Sequence, residues 1–363
     1  MYFLKFPETK KLFEIFNNNH LDARFVGGCV RDGLCDIRTD DFDIAVNCEI
    51  NKLCNILEHE RIRVIKTGIK FSSITVVINK IHYQITSLRK DTNCDGRYCN
   101  VEKTADFKQD AMRRDFTMNA LYMDQYGVIF DYFNGKEDLQ NHIVRFIGNP
   151  FERIQEDYLR IFRYYRFCAK YKDYSNRYYN TIKILAPNIS LLSIERIQSE
   201  IIKLLQYAGN YKILEFMNNV VIKCNLKNYR KLLTVYPDAH ITLKLYALFD
   251  TDTLLHKFHL PRKYTNVIKQ YIKYIAEPLL YVAYKTSQEI QQDIILLQHI
   301  FFDKPLQDVI TQEFPTFPLT YQDICNIIPK PGVLLKLCER WWVLNSFIPD
   351  KHACIEYLKK IAR

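Results

Sequence analysis

The spacing of the apolar residues changes near residue 150 of this 363-residue chain. Before that point, "DFDIAV", "SSITVVI" and "HYQITSL" alternate apolar and polar residues, as strands with one buried face do. After it, segments such as "PFERIQEDYLRIFRYYRFCAKY" repeat apolar residues every three or four positions, as amphipathic helices do. We find no convincing strand after residue 150 and no repeat of fixed length. The sequence therefore predicts an α+β fold, with a small mixed head followed by an all-α body and tail.

The overall composition is that of an ordinary globular protein. Hydrophobic residues make up 48% and charged residues 25% of the chain. No run of about 18 apolar residues predicts a membrane span, and the beginning, "MYFLKFPETKKLFEIF", lacks the apolar core of a signal peptide. The eleven cysteines form no C-x-x-C pair. We therefore predict no zinc site, no disulfide framework, no membrane contact and a reducing, cytoplasmic location.

The positive charge is concentrated in the second part of the chain. Residues 1–150 carry 21 basic and 21 acidic side chains, whereas residues 151–363 carry 30 and 20, so the whole excess of +10 lies there. A basic module joined to a neutral one suggests a polyanionic partner that is held by its backbone. A Lys- and Asn-rich composition would also raise the isoelectric point without any function.

Two carboxylates lie two residues apart at the start of "DFDIAV". The alternation places Asp41 and Asp43 on one face of a strand, opposite the larger apolar residues. Like charges this close repel and raise each other's pKa unless a cation lies between them. Oxygen ligands with no His or Cys nearby suit Mg²⁺ or Mn²⁺. Two surface acids on an edge strand would show the same spacing.

A pair of glycines precedes these carboxylates. "FVGG" predicts a short strand that ends at Gly27 and Gly28, and "CVRDGL" predicts the first turns of a helix. Glycines let a backbone approach a phosphate closely, and a helix N-terminus offers free N–H groups to it. Arg31 on the first turn adds a charged donor for a triphosphate. Together with the carboxylates, this pattern resembles the nucleotidyltransferase superfamily that includes polymerase β.

Two later segments carry dense charge. In "RRDFTMNAL", Arg114 and Asp115 stand at a predicted loop-to-helix junction, where a capped surface helix would give the same pattern. In "EDYLRIFRYYRF", Asp157 and Arg160 are three residues apart and share a face of a predicted helix. An ordinary salt bridge on a basic helix would explain that spacing equally well.

On the same predicted helix, Arg163 is rotated further round from Asp157, and Arg166 points away from it.

The order of these segments resembles the class II tRNA nucleotidyltransferases, the CCA-adding enzymes of bacterial type, in the tRNA nucleotidyltransferase/poly(A) polymerase family. The resemblance covers about residues 20–205. It rests on seven segments: "GGCVRD…DFD", "TGIKFSSITVV", "ITSLRKD…DGR", "RRDFTMNAL", "DYFNG", "GNPFERIQEDYLRIFRYYRF" and "SIERIQSEI". It implies a polymerase-β-like head over residues 1–150, a helical neck with a nucleotide-selecting helix over 151–210, and a tRNA-binding body and tail over 211–363.

The resemblance also implies roles for single residues. Asp41 and Asp43 would be the catalytic residues that hold Mg²⁺, with Mn²⁺ as a substitute. Asp131 and Gly135 match a segment that flexes between head and neck. The residues expected to bind the nucleotide are Gly28, Arg31 and Arg114 at the triphosphate, Asp115 near the ribose, and Asp157, Arg160, Arg163 and Arg166 at the base.

The proposed base selection can be checked from chemistry. A carboxylate only accepts hydrogen bonds and a guanidinium only donates them. Cytosine and adenine present an amine beside a ring acceptor, which suits Asp157 and Arg160, whereas uracil and guanine present a carbonyl and an N–H. The implied reaction is attack of the tRNA 3′-hydroxyl on the α-phosphate of CTP or ATP with release of pyrophosphate, assisted by two metal ions. The basic C-terminal helices would hold the tRNA acceptor arm, and no protein partner is evident.

Two departures from the family pattern lie beside the site. Phe71, Ser72 and Ser73 stand where His-Gly-Thr is usual, and Gln84 stands where Glu is common. The loss of His-Gly-Thr leaves a catalytically weak RNA-binding relative as one alternative, and a bacterial poly(A) polymerase, which shares the head, is the other. Poly(A) polymerases usually carry a strongly basic strand after the metal strand, but "TGIKFSSITVVI" has one charged residue. The loop "RKDTNCDGRYC" is also present, which favours addition of C, C and A by one chain.

Overall fold

The computed structural model describes residues 1–69, 72–92, 100–207, 210–325 and 331–362. All strands among these residues precede residue 150, and helices make up the regular structure that follows, which confirms the predicted α+β class. The strands are β1 (Ala23–Val26), β2 (Phe42–Val46), β3 (Arg63–Ile65), β4 (Ser73–Ile78), β5 (Ile81–Ser87), β6 (Arg89–Thr92), β7 (Asn100–Lys103), β8 (Leu121–Met123) and β9 (Ile129–Asp131).

Helices cover the sheet and make up the regular structure of the described residues after it. In the first part they are α1 (Pro7–Asn18), α2 (Gly28–Leu34), α3 (Ile50–His59), α4 (Phe107–Met112), α5 (Gly135–Gln140), α6 (Pro150–Glu156), α7 (Leu159–Tyr171), α8 (Tyr179–Leu185), α9 (Ile194–Leu204) and α10 (Tyr211–Asn218). The later helices are α11 (Leu226–Val235), α12 (Ile241–Leu248), α13 (Arg262–Tyr274), α14 (Leu279–Lys285), α15 (Gln288–Phe302), α16 (Tyr321–Ile324), α17 (Pro331–Leu344) and α18 (Lys351–Ile361).

Seven strands form one sheet in the order β3-β4-β5-β2-β1-β8-β9. The pair β2–β5 is parallel and the other neighbours are antiparallel. Because β2 lies between β1 and β5, the strand that follows Asp41 is not an edge strand, which removes one alternative for the two carboxylates. The predicted hairpin at Asn79 and Lys80 is confirmed, and both residues have positive φ, as a tight turn between twisted strands requires.

Aromatic side chains fill the space between the sheet and α1. Phe25 of β1 is fully buried and packs edge-on against Phe3 and at a tilt against Phe13. Tyr83 of β5 is also fully buried, and its hydroxyl shares a hydrogen bond with Thr9 of α1. This packing fixes one face of β2, so that the other face is available for the site.

The helix predicted across residues 150–171 is interrupted. α6 ends at Glu156 and α7 begins at Leu159, and between them Asp157 has an extended backbone with φ −155° and ψ 106°. The expectation that Asp157 and Arg160 share one helix face is therefore wrong. The apolar period continues across the break because Ile154 and Ile161 are both buried, and no Gly or Pro marks the break in the sequence.

Two other expectations differ from the structure in detail. "RRDFTMNAL" follows α4 and leads into a 3₁₀ turn at Thr117–Asn119, so the junction runs from helix to turn. The predicted loop over residues 91–100 contributes its ends to the paired strands β6 and β7, while residues 93–99 lie outside the described residues. Phe71 also lies outside them.

The chain divides into two compact units, Met1–Lys223 and Cys224–Arg363. The division into head, neck and body stays a prediction. No helix among the described residues has both the length and the apolar character needed to span a membrane.

Candidate active site

One cavity of about 530 Å³ in the first unit collects the polar residues of five separate segments. All ten residues predicted from the sequence line it. The lining residues are Gly27, Gly28, Arg31, Asp41, Asp43, Arg114, Asp115, Asn119, Asp157, Leu159, Arg160, Arg163, Arg166, Phe167, Arg196 and Lys203. Seven of these side chains are basic and four are acidic, so the cavity as a whole attracts an anion.

The turn between β1 and α2 brings backbone close to the charged groups. Gly27 has φ +73°, and a Cβ at this position would lie 3.3 Å from Nη1 of Arg114. Gly28 begins α2, and Arg31 lies one turn later with a buried side chain. The Arg31 guanidinium donates to both carboxylate oxygens of Asp32, at 2.9 Å each, and to Oδ1 of Asn119. The arginine is therefore held in place before any ligand binds.

The two carboxylates lie at the start of β2. Asp41 is exposed and immediately precedes the strand, and Asp43 is half-buried within it. Burial raises the pKa of Asp43 above the ordinary carboxyl value, Arg114 opposes that shift, and the charge of Asp41 adds to it. Gln84 of β5 is the register partner of Asp43 in the parallel pair. The position directly beside Asp43 thus carries a neutral amide.

A buried carboxylate anchors Arg114. Asp110 of α4 is fully buried and accepts from Nη2 of Arg114 at 3.3 Å and from the Tyr122 hydroxyl at 2.6 Å. Arg113 donates to the other oxygen of Asp110 at 2.9 Å, and the backbone N–H of Arg89 donates to it at 3.2 Å. Burial works to raise the pKa of Asp110, but the two arginines and Tyr122 hold it below its usual range. Asp110 is thereby kept ionised opposite Arg114.

Asp115 joins the sheet region to α7. Its Oδ2 accepts from Nε of Arg163 at 2.7 Å, and its Oδ1 accepts from the Asn119 amide at 2.9 Å and from the Phe116 backbone N–H. Burial works to raise the pKa of Asp115, but Arg163 and Asn119 outweigh it and hold the pKa well below the usual carboxyl range. Asn119 also accepts from Arg31, so one hydrogen-bonded chain runs from α2 to α7.

Asp157 and Arg160 both face the cavity, but they do not pair with each other. Asp157 accepts from the backbone N–H of Leu159 at 3.1 Å and from Nη2 of Arg196 at 2.7 Å. Arg160 donates to Oε2 of Glu156 at 2.6 Å and to the Arg153 carbonyl at 2.7 Å. The two side chains are thus held by different neighbours.

Helix α9 supplies charged groups that the sequence-based prediction of the site did not include. Arg196 and Lys203 of α9 line the cavity, and Glu200 of the same helix is paired with Arg166 at 2.7 Å. The prediction that Arg166 points away from Asp157 assumed an unbroken helix, which the structure does not have. Arg166 lines the cavity together with Asp157. Residues 196, 200 and 203 follow one another at the spacing of neighbours on one helix face, and this spacing could have indicated a charged face in the sequence.

The comparisons with known proteins agree with this arrangement. Residues 23–145 match the family described as the poly A polymerase head domain. The mitochondrial CCA tRNA nucleotidyltransferase 1 of Danio rerio is 30% identical over 93% of this chain and 89% of its own length. The CCA-adding enzyme of Staphylococcus aureus (strain Newman) is 30% identical over 74% of this chain and 68% of its own length. The Bacillus stearothermophilus CCA-adding enzyme in complex with CTP shares the fold, with a TM-score of 0.65 at 24% identity over 80% of this chain and 77% of that one.

Proposed function

This chain belongs to the class II CCA-adding enzymes, which are tRNA nucleotidyltransferases, and from that premise we propose that it adds C, C and A in turn to the 3′ end of tRNA. CTP and ATP are the nucleotide substrates and pyrophosphate is the product. The observation that supports this most is the single cavity lined by all ten residues expected for such a site. The reaction is an in-line attack of the tRNA 3′-hydroxyl on the α-phosphate, with no covalent enzyme intermediate.

Asp41 and Asp43 are the residues that we assign to the catalytic divalent cations. Both are oxygen ligands at the start of β2. Burial raises the pKa of Asp43 and the charge of Asp41 adds to that shift, and a bound cation would relieve the repulsion between the two carboxylates. This donor set fits Mg²⁺ or Mn²⁺. When bound, two such cations would activate the 3′-hydroxyl and neutralise the leaving pyrophosphate.

The triphosphate is held by the turn after β1 and by two arginines. The backbone at Gly28 can come close to a phosphate because no side chain stands there, and Arg31 and Arg114 supply charged donors. Both guanidinium groups are already oriented by carboxylates on their other side, Asp32 and Asp110. Asp115 and its hydrogen-bond partner Asn119 lie beside the ribose in this arrangement.

Asp157 and Arg160 read the base of the incoming nucleotide. The Asp157 carboxylate accepts from the exocyclic amine of cytosine or adenine, and the Arg160 guanidinium donates to the ring acceptor beside it. Uracil and guanine present the opposite pattern, so both contacts become repulsive. Arg163 and Arg166 support this pair from the next turns of α7.

The tRNA is held by the basic residues after position 150. Residues 151–363 carry the whole net charge of +10, and phosphate contacts of the helices beyond residue 210 would hold the acceptor arm. We assign residues 1–150 to the catalytic head, 151–210 to the neck and 211–363 to the body and tail. A cytoplasmic location stays a prediction, since named relatives include mitochondrial as well as bacterial enzymes.

A catalytically weak RNA-binding relative is the second candidate. The observation that favours it is the neutral Gln84 in register with Asp43, at a position where a further acid would strengthen cation binding. Both candidates bind tRNA, so only turnover separates them.

The deciding experiment incubates the protein with a tRNA that ends at its discriminator base, together with CTP, ATP and Mg²⁺, and sequences the product. Addition of CCA supports the proposal. Binding of the tRNA without extension, at concentrations where the S. aureus enzyme reacts fully, supports the weak relative. The Asp41→Ala variant is the control for contaminating activity.

A further inference from the structure

Four charged residues at and after the α6–α7 break each have a partner of opposite charge. The pairs are Asp157 with Arg196, Arg160 with Glu156, Arg163 with Asp115, and Arg166 with Glu200. Three of these pairs orient an arginine of α7. The pair of Asp157 and Arg196 orients a carboxylate, and it is the carboxylate to which we assign the reading of the base.

The position of Asp157 makes that partner important. Asp157 lies between the two helices with an extended backbone, and its carbonyl oxygen accepts from the Arg160 N–H at 3.0 Å. Besides the short contact to the Leu159 backbone N–H, the contact that orients the carboxylate is the 2.7 Å hydrogen bond from Nη2 of Arg196. Arg160, three residues on, is occupied by Glu156 and the Arg153 carbonyl.

We propose that Arg196 is a positioning residue for base selection, which holds the Asp157 carboxylate aimed into the cavity. This inference rests on the proposed role of Asp157 as the base reader. A carboxylate oxygen has two lone pairs, so Oδ1 and Oδ2 each keep one acceptor site after their contacts with Leu159 and Arg196. The remaining sites demand a donor, which the amine of cytosine or adenine supplies and the carbonyl of uracil or guanine does not.

Loss of Arg196 would weaken this requirement for a donor, because the carboxylate would turn more freely about its side-chain bonds. A carboxylate that is no longer aimed at the position of the amine would distinguish an amine from a carbonyl less strictly. Selection of the base should therefore suffer while the metal and triphosphate contacts, which involve other residues, stay in place.

A different role for Arg196 gives a different result. Its side chain also lines the cavity. If Arg196 contacted the triphosphate directly, loss of that contact in the variant would raise KM for every nucleotide by the same factor. Such a contact would leave the ratio of CTP to UTP use unchanged. The selectivity ratio, and not the overall rate, is therefore the informative measurement.

The test measures kcat/KM for CTP and for UTP on a tRNA that ends at its discriminator base. We expect Arg196→Ala to raise the UTP:CTP ratio about tenfold and Arg196→Lys, which keeps the charge, to raise it less than threefold. Lys203→Ala is the matched control, because it removes one positive charge from the same helix and the same cavity and leaves Asp157 with its partner. It should leave the ratio unchanged.

The double variant Asp157→Ala/Arg196→Ala decides whether Arg196 acts through Asp157. If it does, the double variant has the same ratio as Asp157→Ala alone. Independent, multiplying effects would overturn the inference, as would a uniform rise in KM with an unchanged ratio. If Asp157→Ala changes the ratio and Arg196→Ala does not, the inference fails and the proposed base reader stands. If Asp157→Ala itself leaves the ratio unchanged, the base-reading role of Asp157 fails.

A second variant covers the case in which Arg196→Ala unfolds. Arg196→Gln keeps a hydrogen-bond donor without the charge, and we expect it to raise the UTP:CTP ratio at least threefold. An unchanged ratio would overturn the inference.

Discussion

Nε of Arg163 in α7 lies 2.7 Å from Oδ2 of Asp115, in the segment that leads to β8. The contact joins a helix after residue 150 to the sheet region before it. Asp115 is nearly fully buried, and its other oxygen accepts from Asn119 and the Phe116 backbone. The ion pair therefore joins the sheet side of the cavity, which carries Asp41 and Asp43, to the helix side, which carries the arginines of α7.

The Asp115 ion pair predicts a loss of stability in acid. The pKa of Asp115 is below its unfolded value of about 4, so its contribution to the free energy of unfolding is complete above that pH and is lost as the pH falls through the folded value. Asp115→Asn should cost about 1–3 kcal/mol near pH 7, because a buried charged acceptor is lost. Urea unfolding at a series of pH values should show this difference narrowing below about pH 4. A difference that stays constant down to pH 2 would contradict the assignment.

The metal assignment predicts inactive variants that still bind RNA. Asp41→Ala or Asp43→Ala should abolish nucleotide addition while leaving tRNA affinity within about threefold, because neither residue belongs to the basic region. Asp40→Ala is the matched control, since Asp40 is an exposed neighbouring carboxylate that is not among the cavity residues. Primer extension and filter binding measure the two properties. Full activity of either variant would remove the metal role.

The base-reading assignment predicts a variant that is folded but indiscriminate. Asp157→Ala should change the free energy of unfolding by about 1 kcal/mol or less, because the Asp157–Arg196 pair is partly exposed. Its preference for CTP over UTP should fall at least tenfold, since a bidentate base contact is worth about 1–3 kcal/mol. Thermal unfolding and single-nucleotide addition check the two parts. An unchanged preference would exclude Asp157 as the reader.

The uneven charge of the chain predicts salt-sensitive binding of tRNA. The affinity should fall steeply as the salt concentration rises, because phosphate contacts release counterions. A truncated chain that ends at Lys223, the end of the first compact unit, should bind tRNA weakly and show a smaller salt slope. Isothermal titration at several salt concentrations measures both slopes. Equal slopes for the full and truncated chains would contradict the electrostatic account of the C-terminal region.

The family assignment predicts where the product ends. With CTP and ATP present, a tRNA that ends at its discriminator base should gain C, C and A and then no further nucleotide. The physical reason is that a finished end no longer fits between the tRNA-holding helices and a fixed base reader. Gel analysis and sequencing give the result. A ladder of many A residues would favour a poly(A) polymerase, and a product ending in CC would mean that another enzyme completes the end.

Much of the site could be predicted because its residues follow short-range rules. Strand alternation fixes the shared face of Asp41 and Asp43, and the glycine pair fixes the turn before Arg31. The structure brings these segments to one cavity, as the resemblance implied. The functional roles of the individual residues stay predictions until variants are measured.

The parts that were missed depend on contacts between distant segments. Arg196 reaches Asp157 across 39 positions of sequence, and Asn119 reaches Arg31 across 88. No local period records such pairs. The break before Leu159 was missed for a related reason: the apolar spacing continues through it, and the extended backbone of Asp157 is stabilised by side-chain contacts and not by a Gly or Pro.

The interruption between α6 and α7 makes Asp157 the cap of the first turn of α7, because its carbonyl oxygen accepts from the Arg160 N–H and its Oδ1 accepts from the Leu159 N–H. The residue that we assign to the base therefore also holds the N-terminal end of the helix that carries Arg160, Arg163 and Arg166. A ligand that drew this carboxylate towards itself would act on that helix end as well, so that contact with a nucleotide and the placement of the three arginines are coupled through one residue.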